Sequence, residues 1–84
     1  MTGTQRESAD ADRDKVCSHI GQQLHRLRRE RRVSMRAVAD GTGLSTAFVC
    51  QIENGRSMPS AYTLWRLTDF FGVTFDHFTK GLEL

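Results

Sequence analysis

The side chains in this 84-residue chain best suited to metal ligation or nucleophilic attack are His19, His25, His77, Cys17 and Cys50. Their spacing supports neither chemistry. No C-x-x-C, H-x-x-x-H or H-E-x-x-H arrangement occurs that would bring ligands together on one turn or one helix face. There is also no G-x-S-x-G, Walker loop or G-x-G-x-x-G segment, so nothing marks a nucleophile or a phosphate cradle. The chain is not expected to be an enzyme, and no metal or cofactor is expected. The histidines read as scattered surface residues. Cys50 reads as a small residue rather than a redox switch, because no adjacent cation or resolving thiol accompanies it.

A different chemistry is written in Thr46, Ala47, Cys50, Gln51 and Asn54. Spaced i, i+1, i+4, i+5, i+8, they fall on one side of a helix, while Val49 and Ile52, joined by Leu44, point to the other. The outer side carries no large aliphatic residue. Small side chains let a helix approach base edges, and the major groove of DNA admits a helix. There a glutamine can donate to N7 and accept from N6–H of adenine, while an alanine or threonine methyl suits the thymine methyl. Thr46, Ala47, Cys50 and Gln51 are the candidate base contacts.

Two short helices and a tight turn must hold that face in place. Ser34 stands ahead of an apolar-periodic run, Met35, Val38 and Ala39, and is placed to cap its helix. Gly41 and Gly43 are expected to end that helix, and Ala39, with nothing beyond Cβ, suits a close crossing. Ser45 is the next cap, opening a helix from Thr46 to about Asn54, where Asn54-Gly55 provides the stop. The following Arg56-Ser57-Met58-Pro59-Ser60 offers donors where a phosphate would be met. The candidate phosphate contacts are Ser34, Arg36, Ser45, Asn54, Arg56, Ser57 and Ser60. Upstream, Val16, Cys17, Ile20, Leu24 and Leu27 call for an amphipathic helix from about Arg13 to Arg32. Downstream, Ser60 caps a fourth helix to about Phe71, with Leu64, Leu67, Thr68 and Phe71 inward and Trp65 and Phe70 at the margins. Gly72 ends it, Val73 drops into the core, and Thr74 caps a short fifth helix with Phe75 and Phe78. No segment alternates as a strand does, so the fold class is all-α, a compact five-helix bundle.

From Ile20 to about Phe78 the chain resembles the phage-repressor-like (Xre-type) helix-turn-helix family. The resemblance rests on Ser34-Met35-Arg36, Ala39, Gly43-Leu44-Ser45, Gln51-Ile52-Glu53, Gly55 and Pro59-Ser60, an ordered run more specific than any one of its parts. The Ser34-Met35-Arg36 opening is most like that of regulators joining this domain to a C-terminal cupin sensor. The resemblance implies a lambda-repressor-like fold and sequence-specific binding of double-stranded DNA by a transcriptional regulator such as a repressor. It also implies an internal ion pair of Arg28 with Glu53, which would account for an acidic residue so near DNA. Where Met35 stands, the family commonly has a glutamine used on the phosphate backbone.

Composition sets the remaining bounds. Eighty-four residues suit one domain with a modest core. Nothing resembles a signal peptide or membrane span, and two distant cysteines imply reduced thiols in a cytoplasm. The net charge of +2 hides an asymmetry: residues 1–14 carry −2, 15–32 carry +5, 33–58 carry 0 and 59–84 carry −1. Arg26, Arg28, Arg29, Arg31 and Arg32 give the first helix its charge, either as a solvated face and dipole complement or as a surface for phosphates. Residues 1–12, small, polar and acidic, read as a disordered arm that would repel DNA, and 80–84 as a tail, leaving 13–79 as the domain. Trp65, Phe70, Phe75, Phe78, Leu82 and Leu84 exceed what two short helices can turn inward. They imply a homodimer joined through its C-terminal third and reading a palindromic operator. No membrane partner is expected, nor a small-molecule effector within this chain. The rival reading is a protein-interaction module, antitoxin-like, that uses the same fold to hold another protein.

Overall fold

The computed structural model describes residues 2–84, with side chains from Ala9 onward. Among the described residues there are five helices and no strand: α1 Thr2–Glu30, α2 Met35–Thr42, α3 Thr46–Glu53, α4 Ala61–Phe71 and α5 Phe75–Thr79. Helix α1 is the long axis. At 1.5 Å per residue its 29 residues span about 43 Å, close to the 45 Å longest extent of the molecule.

The start of α1 departs from the sequence reading, which put a disordered arm over 1–12. The helix is already formed at Thr2; Met1 lies outside the described residues. Ala9-Asp10-Ala11-Asp12 contains no helix breaker, and a helix already nucleated on the core by Cys17 and Ile20 gains one backbone bond for each residue it adds toward its N-terminus. Apolar periodicity marks where a helix is buried, not where it begins.

Serines start the three middle helices. The Oγ atoms of Ser34, Ser45 and Ser60 accept from the backbone N–H of Ala37, Phe48 and Thr63 at 3.0, 3.0 and 3.1 Å. Each such cap stabilises its helix by about 1 kcal/mol. Thr74 occupies the same position before α5 without a side-chain cap bond. Gly43, not Gly41, stops α2, by entering the left-handed region at φ 79°. Gly41 stays helical and is bare for another reason: a Cβ there would sit 2.1 Å from Cε1 of Phe70, whose ring lies against it.

The core is drawn from every helix: Ile20, Leu24 and Leu27 of α1, Val38 and Ala39 of α2, Val49 and Ile52 of α3, Leu67 and Phe71 of α4, and Phe78 of α5. Helix α1 crosses α3 at Gly21, where an added Cβ would lie 2.4 Å from the carbonyl oxygen of Ile52 and 2.6 Å from that of Glu53. Two helix ends are closed by arginines from other elements. Arg66 Nε donates to Thr42 O at 2.9 Å, ending α2, and Arg31 Nη1 donates to Phe71 O at 2.9 Å, ending α4.

Candidate nucleic-acid interface

Helix α3 divides as its spacing requires. Val49 and Ile52 are wholly buried, while Thr46, Ala47, Gln51 and Asn54 are exposed and Cys50 is half-buried. Phe48, which the division of faces left out, is half-buried and packs on the core, so it leaves the exposed face to small and polar side chains. Of the candidate phosphate contacts, Ser34, Arg36, Ser45, Asn54, Arg56 and Ser60 are exposed; Ser57 is half-buried. The Oγ atoms of Ser34, Ser45 and Ser60 accept cap bonds, which leaves the hydroxyls of Ser34 and Ser45 able to donate outward. Ser60 donates to Thr63 Oγ1 at 3.0 Å, and Ser57 to Gln51 Oε1 at 3.2 Å. Each hydroxyl has one proton, so these two are not free donors in this geometry. Asn54 leans back along α3, with Nδ2 3.3 Å from the sulfur of Cys50.

The end of α3 is tied down by charge. Glu53 Oε2 accepts from Arg28 Nε at 2.7 Å, and Oε1 accepts from Arg28 Nη2 at 3.2 Å. Oε1 also lies 2.8 Å from His25 Nδ1. The Glu53 side chain is 3% exposed and that of Arg28 16%, so this bidentate pair is largely shielded from water. Arg28 Nη1 additionally donates to Val33 O at 3.1 Å, just past the end of α1. His25 is a surface histidine, as the sequence reading has it, but one with a fixed partner in Glu53. The signal for it lay in its i, i+3 spacing from Arg28, which puts both on one side of α1.

The arginines at the end of α1 and in the turn after it separate by task. Arg28 and Arg31 are spent on Glu53 and Phe71 O. Arg26 and Arg29 are exposed and share an open cleft of about 750 Å³ with His25, Met35 and Asn54, where α1, α2 and the end of α3 meet. Arg32 terminates α1 with φ 54°, a left-handed conformation usually left to glycine, and Val33 N–H returns to Arg28 O at 3.0 Å.

The apolar residues grouped as a dimer surface do not stay together. Phe78 is completely buried and belongs to the core, because the short α5 has one inward position and Phe78 takes it. Phe70 is half-buried, resting on Gly41 and edge-on to Phe71 with ring centroids 4.9 Å apart. Leu82 is half-buried in a shallow crevice beside Lys15, Ser18 and His19 of α1, where His19 Nε2 lies 2.8 Å from Lys80 O. Trp65, Phe75 and Leu84 are exposed. So is Tyr62, which sequence reasoning passed over; its ring lies 6.1 Å from that of Trp65 on one side of α4.

Among the described residues no three His, Cys, Asp or Glu side chains gather as a metal site, and no helix is long and apolar enough to cross a membrane. Cys17 is buried on α1 and Cys50 lies on α3, both as free thiols.

Comparison with known proteins agrees with this architecture. A helix-turn-helix domain family matches residues 19–78. The chain is 38% identical over 55 residues to the HTH-type transcriptional regulator SutR of Escherichia coli, covering 66% of this chain and 31% of SutR. It is 36% identical over 61 residues to the uncharacterized HTH-type transcriptional regulator RghRB of Bacillus subtilis, covering 71% and 44%. The chain thus spans less than half the length of these relatives. Among solved structures, an HTH_3 family transcriptional regulator from Vibrio cholerae superposes with a TM-score of 0.76 at 37% identity, over 80% of this chain and 38% of that one. The restriction-modification controller protein C.AhdI from Aeromonas hydrophila shares the fold, with a TM-score of 0.71 at 22% identity over 74% of this chain and 94% of its own. The serine-capped helix pair, the glycine turn between its members and the matched span of residues together place the chain: it belongs to the Xre-type helix-turn-helix family.

Proposed function

We propose that this chain binds double-stranded DNA sequence-specifically and regulates transcription, with α3 as the recognition helix in the major groove. The observation that carries the reading is the exposed small and polar side of α3, held in fixed orientation by the shielded Glu53 pair at its C-terminal end. Thr46, Ala47, Cys50 and Gln51 face the bases. Ser34, Arg36, Ser45, Asn54 and Arg56 meet phosphates, and Arg26 and Arg29 extend the positive surface beside Asn54. Such a protein works in the cytoplasm.

Two substitutions test the division between bases and phosphates. Gln51→Ala is expected to cost about 1–3 kcal/mol on the specific site and little on random DNA. Arg56→Ala is expected to weaken all DNA alike and to make the slope of log K against log salt shallower by about one unit. Equal losses for Gln51→Ala on both kinds of DNA would remove it from base readout. A wild-type protein whose binding does not weaken with salt would defeat the reading and leave the protein-interaction module.

The reading extends to a two-fold dimer on a palindromic operator. One recognition helix reads only a few base pairs, and pairing of two half-sites about 34–36 Å apart supplies the missing specificity. Tyr62, Trp65 and Phe75, exposed on α4 and α5, are the side chains for such a contact. Sedimentation at micromolar concentration is expected to give a dimer that Trp65→Arg or Phe75→Arg dissociates, with matching loss of operator affinity. A monomer that binds one half-site as tightly as a palindrome would rule the dimer out.

A further inference from the structure

We infer that the cleft between α1, Met35 and Asn54 seats a DNA phosphate and that His25 is its proton-dependent ligand, so that the protein takes up a proton at His25 when it binds DNA. The inference rests on the DNA-binding reading above and adds to it a contact and the pH response that the contact confers.

The cleft lies between the phosphate contacts of two elements. Asn54, at the end of α3, is one of them, and Met35 stands between Ser34 and Arg36, which are two more. Helix α1 supplies the wall that joins these margins, with Arg26 and Arg29 exposed and the side chain of His25 49% exposed. A backbone phosphate that meets both margins passes in front of that wall.

The Glu53 contact decides what His25 offers there. Glu53 Oε1 lies 2.8 Å from His25 Nδ1, and an ionised carboxylate only accepts, so Nδ1 carries a hydrogen. Arg28 Nη2 is a donor too and reaches the same Oε1 at 3.2 Å, so two donors converge on one oxygen. In the neutral ring Nε2 then holds a lone pair, which repels a phosphate oxygen. A proton taken from solvent at Nε2 converts it to a charged donor, while Nδ1 keeps its bond to Glu53.

The charges around the ring set the direction of the coupling. From α1, Arg28 Nη2 lies 3.5 Å from Nδ1, and Arg26, Arg29 and Glu30 line the same cleft. Helix α3 faces the ring with Glu53, and α2 with the uncharged Met35. A proton on His25 therefore joins three guanidinium groups and two carboxylates, an excess of positive charge that a phosphate offsets. Linkage makes the effect mutual: DNA favours the protonated ring, and protonation raises the affinity for DNA by the same factor. Imidazole changes charge between about pH 5 and 8, so affinity is lost as pH rises through that window.

The test is binding of the full chain to a duplex of mixed sequence at pH 6 and pH 8, each over a series of salt concentrations, for wild type, His25→Gln and His25→Lys. From pH 6 to pH 8 the wild type is expected to lose about five- to tenfold in affinity, and its slope of log K against log salt to become shallower by up to about 0.9, one phosphate's worth. His25→Gln should bind with the shallower slope at both pH values, and His25→Lys, which keeps its charge, with the steeper slope at both. Thermal melts at each pH check that all three are folded; a role confined to the Arg28–Glu53 pair would move the melting temperature and leave the salt slope alone. A wild-type slope equal at the two pH values overturns the inference, as does a pH response that survives in His25→Gln. Binding that does not weaken with salt at either pH overturns the DNA-binding reading itself.

Discussion

Replacing Gly21 by alanine is expected to destabilise the protein by at least about 3 kcal/mol, at the upper end of what overpacking costs. The new Cβ would lie 2.4 and 2.6 Å from two main-chain oxygens of α3, where no real Cβ is found. A flexible side chain could step aside; a backbone carbonyl moves only if the helix moves. Alanine gains about 1 kcal/mol over glycine in helix propensity, which is too little to offset the separation of α1 from α3. At about 4–8 °C per kcal/mol for a domain of this size, the melting temperature should fall by more than about 12 °C, and Gly21→Val should be worse. Thermal unfolding followed by circular dichroism decides it. A Gly21→Ala protein melting at or above the wild type would show that the two helices have room between them.

Loss of the Glu53 carboxylate is the next largest effect. Glu53→Ala leaves the Arg28 guanidinium, 16% exposed, with Val33 O as its remaining carbonyl partner, and strands His25 beside it. Removing one member of a buried pair costs about 3–5 kcal/mol, against under about 1 for an exposed pair, and the partial water access of Arg28 points to the lower end of that range. Glu53→Gln keeps the shape and a hydrogen-bond acceptor while losing the charge, so it should fall between wild type and Glu53→Ala. DNA binding by Glu53→Ala should fail where the protein melts and return on cooling. Denaturant titration giving the same midpoint for wild type and Glu53→Ala would mean that the pair contributes nothing to stability.

Much of this arrangement is legible in the sequence because short-range rules govern it. Serine caps, glycine stops and the period of the apolar residues are local features, and Ser34, Ser45, Ser60, Gly43 and Gly72 act where those rules place them. The readings that change depend on what lies across the core. Gly41 resembles a helix stop in one dimension and is a seat for Phe70 in three. Phe78 counts as surplus until α5 is seen to direct it inward. Gly21 carries no signal of its own, since a glycine inside a helical pattern shows its purpose only when the second helix is in place. The early start of α1 has no mark in the sequence pattern, because apolar periodicity reports only the part of a helix that packs on the core. The exposure of Gln51 follows from its spacing on α3, but its hydrogen bond with Ser57, six positions later, depends on how the following loop folds back.

The arginine closures at the ends of α2 and α4 bear on how the protein comes apart. An ordinary helix end frays alone, since its last carbonyls exchange one partner for water at little cost. Here Thr42 O is bonded to α4 and Phe71 O to a residue that directly follows α1, so a loosened turn in either helix also breaks a contact between elements. Local opening is thereby coupled to opening of the whole bundle. A protease would then find cleavable chain at these helix ends chiefly in the globally unfolded population, and stability lost anywhere in the bundle would be felt in how long the protein lasts in a cell.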